Sequence, residues 1–295
     1  MPETCSRRDL LKFGAVAAPI AAMSWPLNAN LNTRHDEEQN ASAAGSQSAA
    51  GTKAVPDTFP TQPPELVREM VLVAHYDLKR VKELVEARPS LARAAWDWGF
   101  GDWEDALGAA SHMGNRPMAE YLISKGARPT IFSAAMLGQL EIVKGFVAEQ
   151  PGVQAIRGPH SISLLAHARV GGEAARPVFD FLQSLPNSDS EAPVALSEEE
   201  TKTLLGTYVF GSGASEQIMV DANLKMYAGS KMYTHSPQLN WTRKGTMGRP
   251  LFHLGDHTFC PAGAPSARIR FTKENDGVLM TVTDADFVLT ARRQV

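Results

Sequence analysis

The sequence predicts a multidomain protein in which a helical repeat array is followed by a small antiparallel β-barrel. Between residues 105 and 185, two short amphipathic helices joined by a glycine turn recur three times. From residue 199 onwards, apolar residues alternate with polar ones at a period of two, which is typical of half-buried strands. The length of 295 residues is enough for about two domains.

The first segment, residues 1–29, is predicted to be an export signal. An arginine pair is followed by Asp-Leu-Leu-Lys at residues 7–12, and a modest apolar run comes next. This stretch resembles the twin-arginine signal of bacteria, with Leu10 in place of the usual phenylalanine. The resemblance implies that the chain folds in the cytoplasm and then resides in the periplasm or is secreted.

Two further segments are predicted to be linkers. Residues 30–64 are dominated by small, polar and proline residues, which cannot bury enough apolar surface to offset the entropy of ordering the chain. We expect a disordered tether there. A shorter polar stretch at residues 188–198 separates the two folded domains.

The helical array is predicted over residues 65–187. In each clear unit, an apolar residue lies seven positions before a turn glycine, and an alanine follows that apolar residue by three. The three units are Leu107, Ala110 and Gly114; Ile131, Ala134 and Gly138; and Leu165, Ala168 and Gly172. One helix pair cannot bury its own apolar face, so the pairs must stack.

This pattern resembles the ankyrin repeat. The stretch "GNRPMAEYLISKGARP" at residues 114–129 is similar to the second helix and the Gly-Ala-x-Pro end of that repeat. The resemblance implies a solenoid of about four helix pairs, the first of them degenerate at residues 66–89, with a concave face used for partners. A generic helical bundle is the alternative.

The last domain, residues 199–295, is predicted to form six to eight antiparallel strands. The sequence Asn275-Asp276-Gly277 between two alternating runs indicates a hairpin. With Leu205-Gly206-x-Tyr208, this block resembles the lipocalin-like β domain at the C-terminus of many exported serine hydrolases of the β-lactamase type. The resemblance implies an accessory domain and does not imply hydrolase activity.

The stretch "WDWGFGDW" at residues 96–103 is expected between the first two helix pairs, on the predicted concave face. Rigid aromatic side chains at low entropy cost are typical of binding hot spots. Trp98 is expected to be exposed, and Trp103 is expected to seal the start of the next helix. The alternative is an aromatic cap on the end of the array. The predicted partner-binding residues are Trp98, Phe100, Asp102, Trp103, Glu104, His112 and His160.

Three histidines fall near the same face. His75 and His112 occupy equivalent positions in successive units, while His167 is shifted by about one turn. A histidine near Asp102 or Glu104 could titrate near neutral pH or bind a metal. Because no short spacing such as His-Glu-x-x-His supports a preformed site, we predict structural roles, no metal site and no cofactor.

Several functional classes are disfavoured. A net charge of −3 gives no general reason to bind nucleic acid. Ser-x-x-Lys, Gly-x-Ser-x-Gly and the phosphate-binding loop are missing, so we assign no catalytic residue. Two cysteines, one inside the signal, exclude a cysteine-based metal site, and no membrane span is expected in the mature chain.

The predicted function is therefore non-catalytic binding of an unidentified protein or small ligand in the periplasm, through the concave ankyrin face. The alternative is a hydrolase-like or small-ligand-binding protein with its site in the groove between solenoid and barrel. A histidine hydrogen-bonded to a carboxylate in a closed pocket would favour that alternative.

Overall fold

The computed structural model describes residues 58–189, 193–213, 216–222, 233, 239–275 and 277–294. These residues belong to one compact unit in which helices are followed by a closed antiparallel β-barrel. The predicted order of a helical part and then a β-barrel is confirmed. The predicted signal and nearly all of the tether lie outside the described residues. No helix of the described ranges is long and apolar enough to cross a membrane.

Eight helices form four sequential pairs. They are α1 (Pro64–Val73), α2 (Leu78–Ala87), α3 (Ala106–His112), α4 (Arg116–Ser124), α5 (Ile131–Met136), α6 (Leu140–Glu149), α7 (Leu164–Val170) and α8 (Arg176–Gln183). Several start at a side chain that accepts a hydrogen bond from the first turn, among them Asp77, Asp105, Asn115 and Ser163. Local sequence thus fixes where these helices begin.

The turn glycines allow the helix pairs to pack closely. Gly114, Gly138 and Gly172 have φ values of 69°, 75° and 66°, a region that favours glycine. A methyl group at Gly138 would overlap the carbonyl oxygen of Ala174, whereas a methyl group at Gly172 would meet no atom within 4 Å. The apolar faces form two buried clusters, one around α1 to α4 and one around α5 to α8.

The tryptophan-rich stretch forms a small hairpin between α2 and α3. Strand β1 (Ala95–Asp97) pairs with β2 (Trp103–Asp105). The tip is a tight turn in which Gly99, Phe100 and Gly101 all have positive φ. Because side chains alternate across a strand, Glu104 in β2 is buried while its neighbour Trp103 is exposed.

Eight strands make the barrel. They are β3 (Gly206–Val209), β4 (Gln217–Asp221), β5 (Leu239–Arg243), β6 (Arg249–Gly255), β7 (Thr258–Pro261), β8 (Arg268–Glu274), β9 (Gly277–Asp284) and β10 (Phe287–Arg293). Each pairs antiparallel with the next, and β10 pairs with β3 to close the ring. The interior is filled by large side chains, including Tyr208, Trp241, Phe259, Phe271 and Met280.

Two details of the barrel differ from expectation. A short helix, α9 (Glu198–Leu204), precedes the first strand, because Ser197 and Glu200 form a reciprocal capping box. Along β6, the inward alternation buries Arg249 and His253 on either side of Leu251. Two polar side chains are therefore buried along this strand.

Candidate functional site

The site is a buried cluster of histidines and carboxylates in the helical part, next to the barrel. His75 lies in the turn between α1 and α2, and Glu104 lies in β2 just before the capping residue of α3. His112 ends α3, and His160 lies in a 3-10 turn between α6 and α7. Four separate turns and element ends thus bring these side chains together.

Glu104 is the centre of the cluster. Its Oε1 atom lies 2.8 Å from Nε2 of His112, and its Oε2 atom accepts a hydrogen bond of 2.8 Å from Nε1 of Trp98. Nε2 of His160 and Nε2 of His75 lie 3.4 Å and 3.5 Å from the same Oε2. Three imidazole Nε2 atoms therefore face one carboxylate that is itself 1% exposed.

Asp102 is the second buried carboxylate. Its Oδ2 atom lies 2.8 Å from Nδ1 of His160, and its Oδ1 atom accepts the backbone N–H of the same residue at 2.9 Å. Nη1 of Arg249, from the barrel, donates to Oδ2 at 3.0 Å. Asp102 therefore links the histidine cluster to β6.

Burial and pairing act in opposite directions on the charges of this cluster. Burial alone would raise the pKa values of Asp102 and Glu104, but the surrounding imidazoles, and Arg249 at Asp102, hold both pKa values below their usual range. For His160, burial lowers the pKa, but the two carboxylates outweigh it and raise the pKa to about 9. Two anions are thus balanced by two cations, as buried charges require.

Two other histidines lack this compensation. Complete burial lowers the pKa of His112 in spite of Glu104, and burial lowers the pKa of His167 to about 3. Nδ1 of His167 lies 2.9 Å from the Ser163 carbonyl oxygen. Within the described part of the chain, neither Nδ1 of His112 nor Nε2 of His167 has a hydrogen-bond partner. Both rings are neutral at physiological pH.

The backbone around His160 is held in an unusual conformation. His160 and Ser161 have φ values of 58° and 61°, which cost free energy for residues with side chains. Partners on the barrel side fix this turn. The hydroxyl of Tyr233 donates to the His160 carbonyl at 2.9 Å, and the Gly263 N–H donates to Oγ of Ser161 at 2.8 Å.

The structure brings together most of the predicted binding residues but buries them. Asp102, Glu104, His112 and His160 are 3%, 1%, 2% and 9% exposed. The expectation that Trp98 is exposed is wrong: it is 8% exposed, because its indole N–H reaches inward to Glu104. The expectation that Trp103 seals the helix start is also wrong, since it is 64% exposed.

Phe100 faces the barrel from the tip of the hairpin. Its ring centroid lies 6.0 Å from that of Trp241, and the Arg249 guanidinium lies 6.0 Å from the centroid of its ring. Binding of a partner through the seven predicted residues stays a prediction, and only Trp103 among them offers a largely exposed side chain.

Sequence reasoning missed two contributors. His75 was assigned a structural role and was left out of the predicted binding residues, whereas its Nε2 atom lies 3.5 Å from Oε2 of Glu104. The signal in the sequence was that His75 and His112 occupy equivalent positions in successive units. Arg249 was not considered at all, because 147 residues separate it from Asp102. The only local signal for Arg249 is a charged residue at an inward position of an alternating strand.

The same four side chains form a donor set that could hold a metal. One donor atom from each of His75, Glu104, His112 and His160 can be chosen so that all four lie within 4.8 Å of one another. Three imidazole nitrogens and one carboxylate suit a first-row transition metal.

The low pKa of His167 gives a prediction for stability without metal. In the unfolded chain this imidazole titrates near 6.5, whereas in the folded chain it titrates at about 3. The contribution of the neutral His167 ring to the free energy of unfolding is therefore fully present above pH 6.5 and is lost as the pH falls towards 3. Between pH 6.5 and 4.5, we expect the free energy of unfolding of chelator-treated wild type to fall by about 2–3 kcal/mol relative to that of His167→Asn. Urea unfolding of both proteins at each pH measures this, and a constant difference would contradict it.

Comparison with protein-family models gives no match, and comparison with curated protein sequences gives none either.

Proposed function

We propose that this protein binds one divalent transition-metal ion through His75, Glu104, His112 and His160. The observation that carries the proposal is the convergence of three imidazole Nε2 atoms on one buried carboxylate. Buried histidines rarely gather in this way for packing alone, since each brings polar atoms that need partners. A shared ion would satisfy them together.

The distances suit metal coordination better than hydrogen bonding. With ligand bonds of about 2.0–2.1 Å, the edge of a coordination tetrahedron is roughly 3.3–3.4 Å. Nε2 of His160 and Nε2 of His75 lie 3.4 Å and 3.5 Å from Oε2 of Glu104, beyond the usual range for a good hydrogen bond. Nε2 of His112 lies 2.8 Å from the other oxygen, Oε1, and the four donor atoms lie within 4.8 Å of one another, so the side chains would have to adjust their positions when the ion binds.

Two of the three histidine ligands have outer partners as in metal sites, whereas Nδ1 of His112 has none in the described part of the chain. Ligating histidines commonly donate their second N–H to a carboxylate or carbonyl, which fixes the tautomer. Nδ1 of His160 faces Asp102 at 2.8 Å, and Nδ1 of His75 lies 3.0 Å from two carbonyl oxygens of α1, those of Val71 and Leu72. In both rings Nε2 faces the proposed site, and His160, which is protonated without metal, would release its Nε2 proton when the ion binds. The indole of Trp98 supports the carboxylate ligand in the same way.

The ligand set indicates which ion fits. Imidazole nitrogens with one carboxylate and no thiolate favour Zn²⁺, with Co²⁺ or Ni²⁺ as substitutes, over Ca²⁺ and Mg²⁺, which prefer all-oxygen sites. The side chains of the four ligands are at most 16% exposed, His75 being the most accessible. Four protein ligands in a closed setting are typical of a retained ion, so the proposed function is metal binding and retention.

The same proposal includes the type of helical array that holds the site, the export route of the chain and the role of the barrel. We place the metal in an ankyrin-type array, exported by the twin-arginine route and carrying a lipocalin-like accessory barrel. The recurrent turn glycines, each with a positive φ, support the ankyrin part. Partner recognition remains a second candidate function, favoured by the exposed Trp103 beside the cluster. The hydrolase-like alternative is supported by the expected buried histidine–carboxylate pairs, His112 with Glu104 and His160 with Asp102.

A metal titration tests the proposal. Untagged, chelator-treated protein should bind one equivalent of Zn²⁺ by calorimetry, and X-ray absorption should report three imidazole ligands. His75→Gln is the mildest ligand change, because this side chain is partly exposed, and we expect it to weaken binding at least 100-fold. His257→Gln changes a barrel histidine outside the cluster and should bind as wild type does. Absence of a stoichiometric site in wild type, or equal affinity of the two variants, would refute the proposal.

A further inference from the structure

We infer that the β-barrel controls how tightly the metal is held, with Arg249 and Gly263 acting as positioning residues through Asp102. This inference rests on the proposed metal site. In the described part of the chain, neither residue forms a hydrogen bond or ion pair with the four ligand side chains. Both contact Asp102, which is the partner of a ligand, and both belong to the barrel and its connecting turns.

Asp102 fixes the orientation of His160 by two bonds. One oxygen accepts the backbone N–H of His160 and the other faces its ring Nδ1. The carboxylate thus sets both the position of the strained turn and the tautomer of the ring. If Asp102 rotates, the Nε2 atom of His160 no longer points at Glu104, and one of the four ligands is lost.

Arg249 holds Asp102 in place from the barrel side. Its side chain is 3% exposed and its guanidinium makes three bonds: 3.0 Å to Asp102, 2.5 Å to the Ala262 carbonyl and 3.0 Å to the Gly99 carbonyl. A planar guanidinium held at three points is a rigid donor, unlike a lysine ammonium. Movement of β6 therefore moves the carboxylate that orients His160.

Gly263, in the loop after β7, lies close to the same carboxylate. It has a φ of 77°, and a methyl group there would overlap the Asp102 carboxylate. Its N–H also donates to Ser161, next to His160. The loop fits against the metal site only because this position has no side chain, so it offers a second, independent way to disturb Asp102.

These contacts make the barrel part of the metal site although it supplies no ligand. Outer partners of metal ligands commonly change metal affinity by 10–100-fold when they are altered. Because these partners belong to the barrel strands and turns, whatever loosens the barrel from the hairpin and the 3-10 turn would also release the ion. The barrel thus increases the affinity of the site for the metal and slows its release.

The test compares two disturbances of Asp102 with one matched control in the full chain. Gly263→Ala and Arg249→Lys should each weaken Zn²⁺ binding by about 10–100-fold and speed its transfer to a chelator. Gly245→Ala is the control, since it also places alanine at a positive φ, 85°, but meets no atom within 4 Å. It should bind Zn²⁺ as wild type does. Affinities are measured at a temperature where circular dichroism shows every variant folded.

Cobalt gives a readout that a purely structural role would not change. With Co²⁺ in the site, loss of His160 as a ligand should alter the intensity and position of the visible bands in the two variants and leave them unchanged in Gly245→Ala. If Gly263→Ala does not fold, Arg249→Lys decides alone. If both variants fold and bind Zn²⁺ and Co²⁺ as wild type does, the inference about the barrel is overturned, but the proposed metal site is not. If the wild-type protein itself binds no metal ion, the proposed function is overturned.

Discussion

Replacing Glu104 by glutamine is expected to abolish high-affinity metal binding and to destabilise the metal-free protein by about 3–5 kcal/mol at neutral pH. The carboxylate is buried, and its two oxygens face four N–H or N groups, those of Trp98, His75, His112 and His160. An amide offers one acceptor and one NH₂ donor. The donor would face imidazole or indole N–H groups, so a buried cation and several donors would lose their partner.

Urea unfolding of chelator-treated wild type and Glu104→Gln measures the effect on stability. Titration of each with Zn²⁺ gives the effect on binding. The control is Glu141→Gln, whose side chain is 84% exposed on α6, and which should leave the unfolding midpoint unchanged. A Glu104→Gln protein as stable as the control would show that the cluster is not an ionic network at all.

The second large effect is expected at the turn between α5 and α6. Gly138→Ala should destabilise the protein by about 2–5 kcal/mol, because two costs add there. A positive φ costs a residue with a side chain about 1–2 kcal/mol, and the new methyl group would overlap the backbone of Ala174, which adds about 1–3 kcal/mol.

Gly172 provides the matched comparison. It has nearly the same φ, 66°, and the equivalent position in the last helix pair, but open space surrounds it. We expect Gly172→Ala to cost only the conformational part, about 1–2 kcal/mol. Denaturant unfolding of the two alanine variants under identical conditions gives the difference. Equal losses would mean that close packing between pairs contributes nothing at Gly138.

The elements of this fold could be predicted because their signals are local. The spacing of Leu107, Ala110 and Gly114, repeated twice, located the helix pairs, and the alternation from residue 199 located the strands. The helix α9 was missed, because its signal is a capping box of only four residues, at Ser197 and Glu200, on the boundary between the predicted linker and the predicted β domain.

The site was predicted only in part. Asp102, Glu104, His112 and His160 were selected as a group, but for recognition of a partner. Aromatic and acidic residues crowded in a loop are typical of a binding surface, and composition does not reveal which way a side chain points. Trp98 illustrates this, since one buried hydrogen bond to Glu104 turns it inward.

The spacing of the four proposed ligands along the chain has a consequence for how the ion enters. They are drawn from residues 75 to 160, and the partner that steadies one of them lies 147 residues beyond Asp102. The three proposed histidine ligands are 37 and 48 residues apart along the chain, so an unfolded chain does not preform this site and uptake at it is expected to follow folding. An ion bound at the proposed site would then be decided by the metals available in the compartment where the chain folds.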